Sequence, residues 1–162
     1  MSTPSSGSGL KTFTAVIAVI FGLVLLIGGI YLAVLGGSWY YIIAGLLFIA
    51  TAVLLQKLKS TALIVYALLV LGTVVWGLWE VGSDFFALAP RLDILGLFGL
   101  WLLIPAVTRG FDNAKSAKLV LTGSLAITIA VMIYAVFNDP QEIRGELSSK
   151  QPATAQSIPG VA

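Results

Sequence analysis

Residues 77–93 read GLWEVGSDFFALAPRLD. This stretch holds Glu80, Asp84, Arg91 and Asp93, in a chain with only nine basic and seven acidic residues. It also contains Trp79, and Trp76 directly precedes it. An arginine can pair with a carboxylate or donate to a carbonyl oxygen. Indoles offer flat apolar faces to a ring and one N–H each. The same residue types also make an ordinary membrane interface, with tryptophans in the aromatic belt and a weak ion pair among the headgroups. Trp76, Trp79, Glu80, Asp84, Arg91 and Asp93 are the candidate site, a surface for a docking partner or an amphipathic ligand.

Other chemistries are excluded. The chain has no cysteine and no histidine. Cys-ligated iron–sulfur clusters, His-ligated haem and the usual zinc sites need one or the other. No Walker motif, nucleophile elbow or helix-opening G-x-G-x-x-G occurs. No catalytic, cofactor-binding or metal-ligating residue is assigned.

The elements that must position this stretch are set by hydropathy. Of the 162 residues 59% are hydrophobic and 10% charged, with a mean hydropathy of +1.04. Soluble domains carry about 25% charged residues, so this is a polytopic membrane profile. Residues 13–35, 40–55, 61–79, 94–107 and 119–137 are charge-free. A spanning helix needs about 20 apolar residues. The second and fourth runs are short, and Leu92 with residues 87–89 can extend the fourth. Backbone groups in hydrocarbon must bond within their own segment, which selects helices. The expectation is an all-α membrane bundle of five transmembrane helices over residues 13–137. Residues 1–12 read as a disordered cytoplasmic segment, and residues 138–162 as a polar periplasmic linker.

Lys11, Lys57, Lys59, Arg109, Lys115 and Lys118 fall on one side of that arrangement. Arg91, Arg144 and Lys150 fall on the other. The excess places the amino terminus in the cytoplasm and the carboxyl terminus outside. The candidate stretch then forms the outer hairpin between the third and fourth spans, the longest outer loop, with Asp93 opening the fourth span. Trp39, Tyr40 and Tyr41 face the same side. No charge is expected near a span centre. Two small-residue patterns, Gly29/Ala33/Gly37 and Thr122/Ala126/Ala130, predict close helix packing. Pro105 is expected to kink or end the fourth span.

Three stretches go beyond generic membrane sequence: GGSWYYIIAGL (36–46), LGTVVWGLWEVGSDFFALAPRLDIL (71–95) and FNDPQEIRGELS (137–148). They resemble the amino-terminal membrane domain of membrane-bound quinoprotein dehydrogenases, the PQQ-dependent glucose, quinate, shikimate and polyol dehydrogenase family. Ile42 stands where proline is expected after the paired tyrosines. The resemblance implies five helices with a cytoplasmic amino terminus in the bacterial inner membrane. It also implies a periplasmic β-propeller that holds PQQ and a calcium or magnesium ion and passes electrons to ubiquinone. That propeller is not within these residues, so none of its catalytic residues transfers. The chain is expected to be inactive alone, as an anchor subunit or as part of a fused dehydrogenase. Its partners would be the lipid bilayer, the quinoprotein catalytic domain and ubiquinone, with no nucleic acid. The other class is a small transporter or channel subunit unrelated to redox chemistry.

Overall fold

The computed structural model describes residues 6–138. All regular structure among them is helical: α1 (Ser6–Val34), α2 (Tyr40–Gln56), α3 (Thr61–Val81), α4 (Phe85–Leu102), α5 (Pro105–Thr108) and α6 (Ala114–Phe137). Four of these are long and apolar enough to cross a bilayer, namely residues Gly9–Val34 of α1 together with α3, α4 and α6. α2 is apolar but shorter, with 17 residues, about 25 Å at the helical rise. The protein is a multi-pass membrane protein.

α3 is the hub and touches α2, α4 and α6. Leu63, Tyr66 and Val70 are fully buried on it, against Phe48 and Leu55 of α2 and Leu121 of α6. The ends of the bundle differ in character. At one end Lys11 donates to the Arg109 carbonyl, and the Asp112 carboxylate accepts from the Ser60 backbone N–H at 3.2 Å. Asp112 thus occupies an otherwise unbonded first-turn donor of α3. At the other end lie the α1–α2 turn, the α3–α4 turn and the end of α6.

α1 and α2 pack backbone to backbone. A Cβ on Gly45 would sit 2.7 Å from the Gly22 carbonyl oxygen and 2.7 Å from the Leu26 nitrogen. One on Gly29 would sit 2.7 Å from the Ile42 nitrogen. Only glycine permits this approach. Gly29 had been placed in a packing pattern from its spacing. The Thr122/Ala126/Ala130 pattern is corrected, because all three are exposed and α6 packs through Leu121, Ser124, Leu125 and Thr128 instead. That face buries Leu121 and Leu125, whose large apolar side chains gain most from burial.

Three helices start earlier than the charge-free runs predict, α6 among them, at Ala114 instead of residue 119. α1 begins at Ser6, upstream of the charge-free run that starts at residue 13. The fourth span, expected at 94–107, is α4 at Phe85–Leu102, with Pro105 opening the short α5. The cause is Asp84. Its side chain accepts from the Ala87 backbone N–H at 3.2 Å and caps α4 directly after the turn. Counting charge-free residues discarded that first half, because it contains Pro90, Arg91 and Asp93.

Candidate functional site

The last turns of α3 carry Trp76, Trp79 and Glu80 to the end of the bundle where α2 begins. Trp76 stacks on Tyr40, with ring centroids 6.0 Å apart and planes at 21°. Trp79 meets Trp76 edge-on at 5.1 Å, and Tyr41 meets Tyr40 edge-on at 5.3 Å. Both geometries suit the ring quadrupole. The Thr73 hydroxyl donates to the Leu69 carbonyl at 2.7 Å. Its single proton is therefore committed, and the Tyr40 hydroxyl donates to the Thr73 oxygen. Tyr40 is thereby fixed as the floor of an aromatic shelf. Trp79 is its outer face, at 76% exposure. The Trp76 indole Nε1 is buried and has no hydrogen-bond partner among the described residues.

Arg91 of α4 reaches Glu80 of α3, Nη1 to Oε2 at 2.7 Å. Helical side chains lean toward their own N-terminus. Glu80 on ascending α3 and Arg91 on descending α4 therefore lean toward each other. The pair is partly open to solvent, with side chains 28% and 32% exposed. Arg91 keeps further donors beyond the one on Glu80.

The six predicted residues do not form one cluster. Trp76, Trp79, Glu80 and Arg91 come together across α3 and α4, beside Tyr40. Asp84 serves as the α4 cap, so its place in the set is structural at least in part. Asp93 is elsewhere. It was expected to open the fourth span, but it is the ninth of the 18 residues of α4. It also corrects the expectation of no charge near a span centre. Two residues turn a helix by about 200°, so Arg91 faces α3 while Asp93 faces a groove between α4 and α6. The α3–α4 turn is also not the longest loop of this end. It is only residues 82–84, against 35–39 between α1 and α2, because the Asp84 cap starts α4 at once.

One connection had no signal in the sequence. The Ser83 hydroxyl donates to the Asn138 carbonyl at 3.0 Å, tying the α3–α4 turn to the end of α6. The two residues are 55 positions apart; each lies in one of the stretches quoted above, but nothing in the sequence joins the two stretches.

The described residues do not fit PQQ or a calcium or magnesium ion. They contain no group of three His, Cys, Asp or Glu side chains able to hold a metal. The only carboxylate at the shelf is Glu80, which Arg91 engages. The arrangement suits surface recognition: an aromatic face flanked by a guanidinium.

Comparison with known proteins gives a consistent set. The chain is 61% identical over all 162 residues to quinoprotein glucose dehydrogenase A of Acinetobacter calcoaceticus, of which it covers 20%. It is 49% identical over 150 residues to the quinoprotein glucose dehydrogenase of Escherichia coli, covering 19% of that protein. It is 37% identical over 103 residues to the glycerol dehydrogenase small subunit of Gluconobacter thailandicus. There the match covers 62% of this chain and 81% of the subunit. The chain thus spans about one fifth of the glucose dehydrogenases, where it matches the amino-terminal region, and most of the small subunit. No family model and no solved structure matches it.

Proposed function

Because the chain belongs to the membrane-domain family shared by quinoprotein glucose dehydrogenases and glycerol dehydrogenase small subunits, we propose that it anchors a quinoprotein dehydrogenase of the glucose type to the bacterial inner membrane. One observation carries this reading. The same sequence region occurs as one fifth of a longer dehydrogenase and as most of a separate small subunit. A segment that works fused or apart is a holder for the catalytic part. Holding that part at the surface raises its effective concentration near a lipid-soluble electron acceptor. The relatives named above are dehydrogenases and lend no support to a transporter or channel.

The finer reading has five spans, with α2 crossing as the short one. The amino terminus is cytoplasmic, at the basic end with Lys57, Lys59, Arg109, Lys115 and Lys118. The aromatic shelf is then periplasmic, and α6 ends beside it, since Asn138 is bonded to Ser83. Whatever follows residue 138 starts beside the α3–α4 turn. PQQ and the calcium or magnesium ion belong to that catalytic part, and ubiquinone is the acceptor. Trp76, Trp79, Glu80 and Arg91, with Asp84 nearby and Asp93 set apart on the α6 side of α4, are the surface for docking the catalytic domain or admitting the quinone.

Co-purification from detergent-solubilised membranes tests the anchor: a quinoprotein dehydrogenase should accompany the tagged chain. Recovery of the chain without any such partner or fused domain, from cells with full membrane dehydrogenase activity, would remove the proposal. Arg91→Ala in the assembled enzyme separates the two roles of the shelf. Lower quinone reduction with intact artificial-dye reduction indicates quinone access. Release of both activities from the membrane fraction indicates docking. No change in either returns the shelf to an interfacial belt. Reporter fusions after Lys59, Arg91, Asp112 and Ala162 should read in, out, in, out.

A further inference from the structure

The groove between α4 and α6 has a volume of about 320 Å³ and apolar walls, with Phe85, Gly96 and Leu100 from α4 and Leu125, Ile129 and Val136 from α6. Asp93 opens into it. The Thr128 hydroxyl, also on the wall, already donates to the Ser124 carbonyl at 2.9 Å. Asp93 is exposed and has no hydrogen-bond or ion-pair partner among the described residues. The other charge on the helix, Arg91, is held by Glu80 on the far face. Ionisable groups at such depth ordinarily face a partner. We propose that this groove binds one phospholipid with a primary ammonium headgroup: the ammonium pairs with Asp93 and one acyl chain lies along the groove.

Three observations select this occupant. Charge comes first. A lone carboxylate attracts a cation and repels an anionic headgroup. Length comes second. The groove follows α6 from Leu125 to Val136, about 16 Å at the helical rise, and its walls are apolar along that length, which suits one acyl chain. Depth comes third. α4 has 18 residues, about 27 Å at the helical rise, slightly less than a hydrocarbon core of about 30 Å, and Asp93 is its ninth residue. A span this short is accommodated by thinning the bilayer on its flank, which lowers headgroups toward Asp93. The Asp93 side chain leans toward the start of α4 and rises to meet them. Gly96 completes the site. It lies one turn beyond Asp93, and a Cβ there would meet nothing within 4 Å, so it leaves room at the floor.

The experiment is native mass spectrometry of the full chain from detergent, offered equal amounts of phosphatidylethanolamine, phosphatidylcholine and phosphatidylglycerol. The wild type should retain one phosphatidylethanolamine with about tenfold preference over either competitor. Phosphatidylcholine keeps the positive charge but has no N–H to donate, so it tests the hydrogen bond. Asp93→Asn should abolish the preference. Gly96→Leu should expel the lipid while the carboxylate remains, and it decides alone if Asp93→Asn does not fold. Equal retention by the wild type and both variants overturns the proposal, as does a preference for phosphatidylglycerol. A dimer or bound quinone that disappears with Asp93→Asn, with no lipid selectivity, also overturns it in favour of that occupant.

Discussion

The α1–α2 seam and the α4–α6 groove are both antiparallel helix contacts, and they are built in opposite ways. At the seam, Gly22, Gly29 and Gly45 put backbone against backbone, and the groove that α1 and α2 share lies further along, at Ala15–Ile20 and Ala52–Gln56. At the α4–α6 groove, Leu97, Leu100, Ile129 and Ile133 line an open space, and Gly96 fills nothing. Small residues join membrane helices only where two of them face each other across the crossing. A small residue opposite nothing makes space instead. The glycine crossing therefore leaves no room for a ligand, and the α4–α6 groove does.

Gly45→Val attacks the seam directly and should have the largest effect. Its side chain would collide with the Gly22 carbonyl and the Leu26 backbone, which a rotamer change cannot relieve. Overpacking of this kind costs about 3 kcal/mol. Thermal unfolding in detergent should show a loss of that order, and an unchanged midpoint would mean that the two helices do not touch as described. Tyr66→Phe comes next. Its hydroxyl donates to the Leu95 carbonyl at 2.6 Å inside the core and pins α4 to α3. The loss should be about 1 kcal/mol, read by the same unfolding experiment. A loss as large as that of Gly45→Val would erase the contrast between the two contacts. Gly96→Ala should have the opposite sign. With open space around it, alanine relieves the helix-interior penalty of glycine and stabilises by about 0.5 kcal/mol. Destabilisation there would mean that the groove is closed. Glu80→Gln should be smallest. The pair with Arg91 is partly exposed, and such pairs contribute less than about 1 kcal/mol. A loss of several kcal/mol in a denaturation series would identify the pair as a structural lock.

The spans of α1, α3 and α6 were legible because each is a charge-free apolar run of 19 or more residues. α4 was legible only in its second half. Hydropathy counting stops at Arg91 and Asp93, whereas the helix starts wherever its first N–H groups find an acceptor. The cue was present: Asp84 followed by an apolar run is a helix-start pattern. The pairing of Glu80 with Arg91 was readable as one of three options. The separation of Asp93 from that pair was hidden by its neighbouring position in the sequence, since two residues along a helix point in nearly opposite directions. Gly45 was missed because small-residue spacing was sought along single helices, while the contact runs across two. Thr122, Ala126 and Ala130 show the converse error: a correct spacing on a face that meets no helix of the bundle. The segments expected at residues 1–5 and 139–162 lie outside the described residues.

The Ser83–Asn138 hydrogen bond has a mechanical meaning. A pull on the chain at residue 138 does not load the last turn of α6 alone. It is shared at once with the α3–α4 turn, and through the Asp84 cap and the Glu80–Arg91 bridge with the two helices on either side. The fastening works like a cleat, spreading tension from one strand of rope over a wider fitting. Ser83→Ala removes the cleat without touching any helix, so fraying of α6 under load, measured by pulling from residue 138 in a single-molecule trap, should begin at lower force.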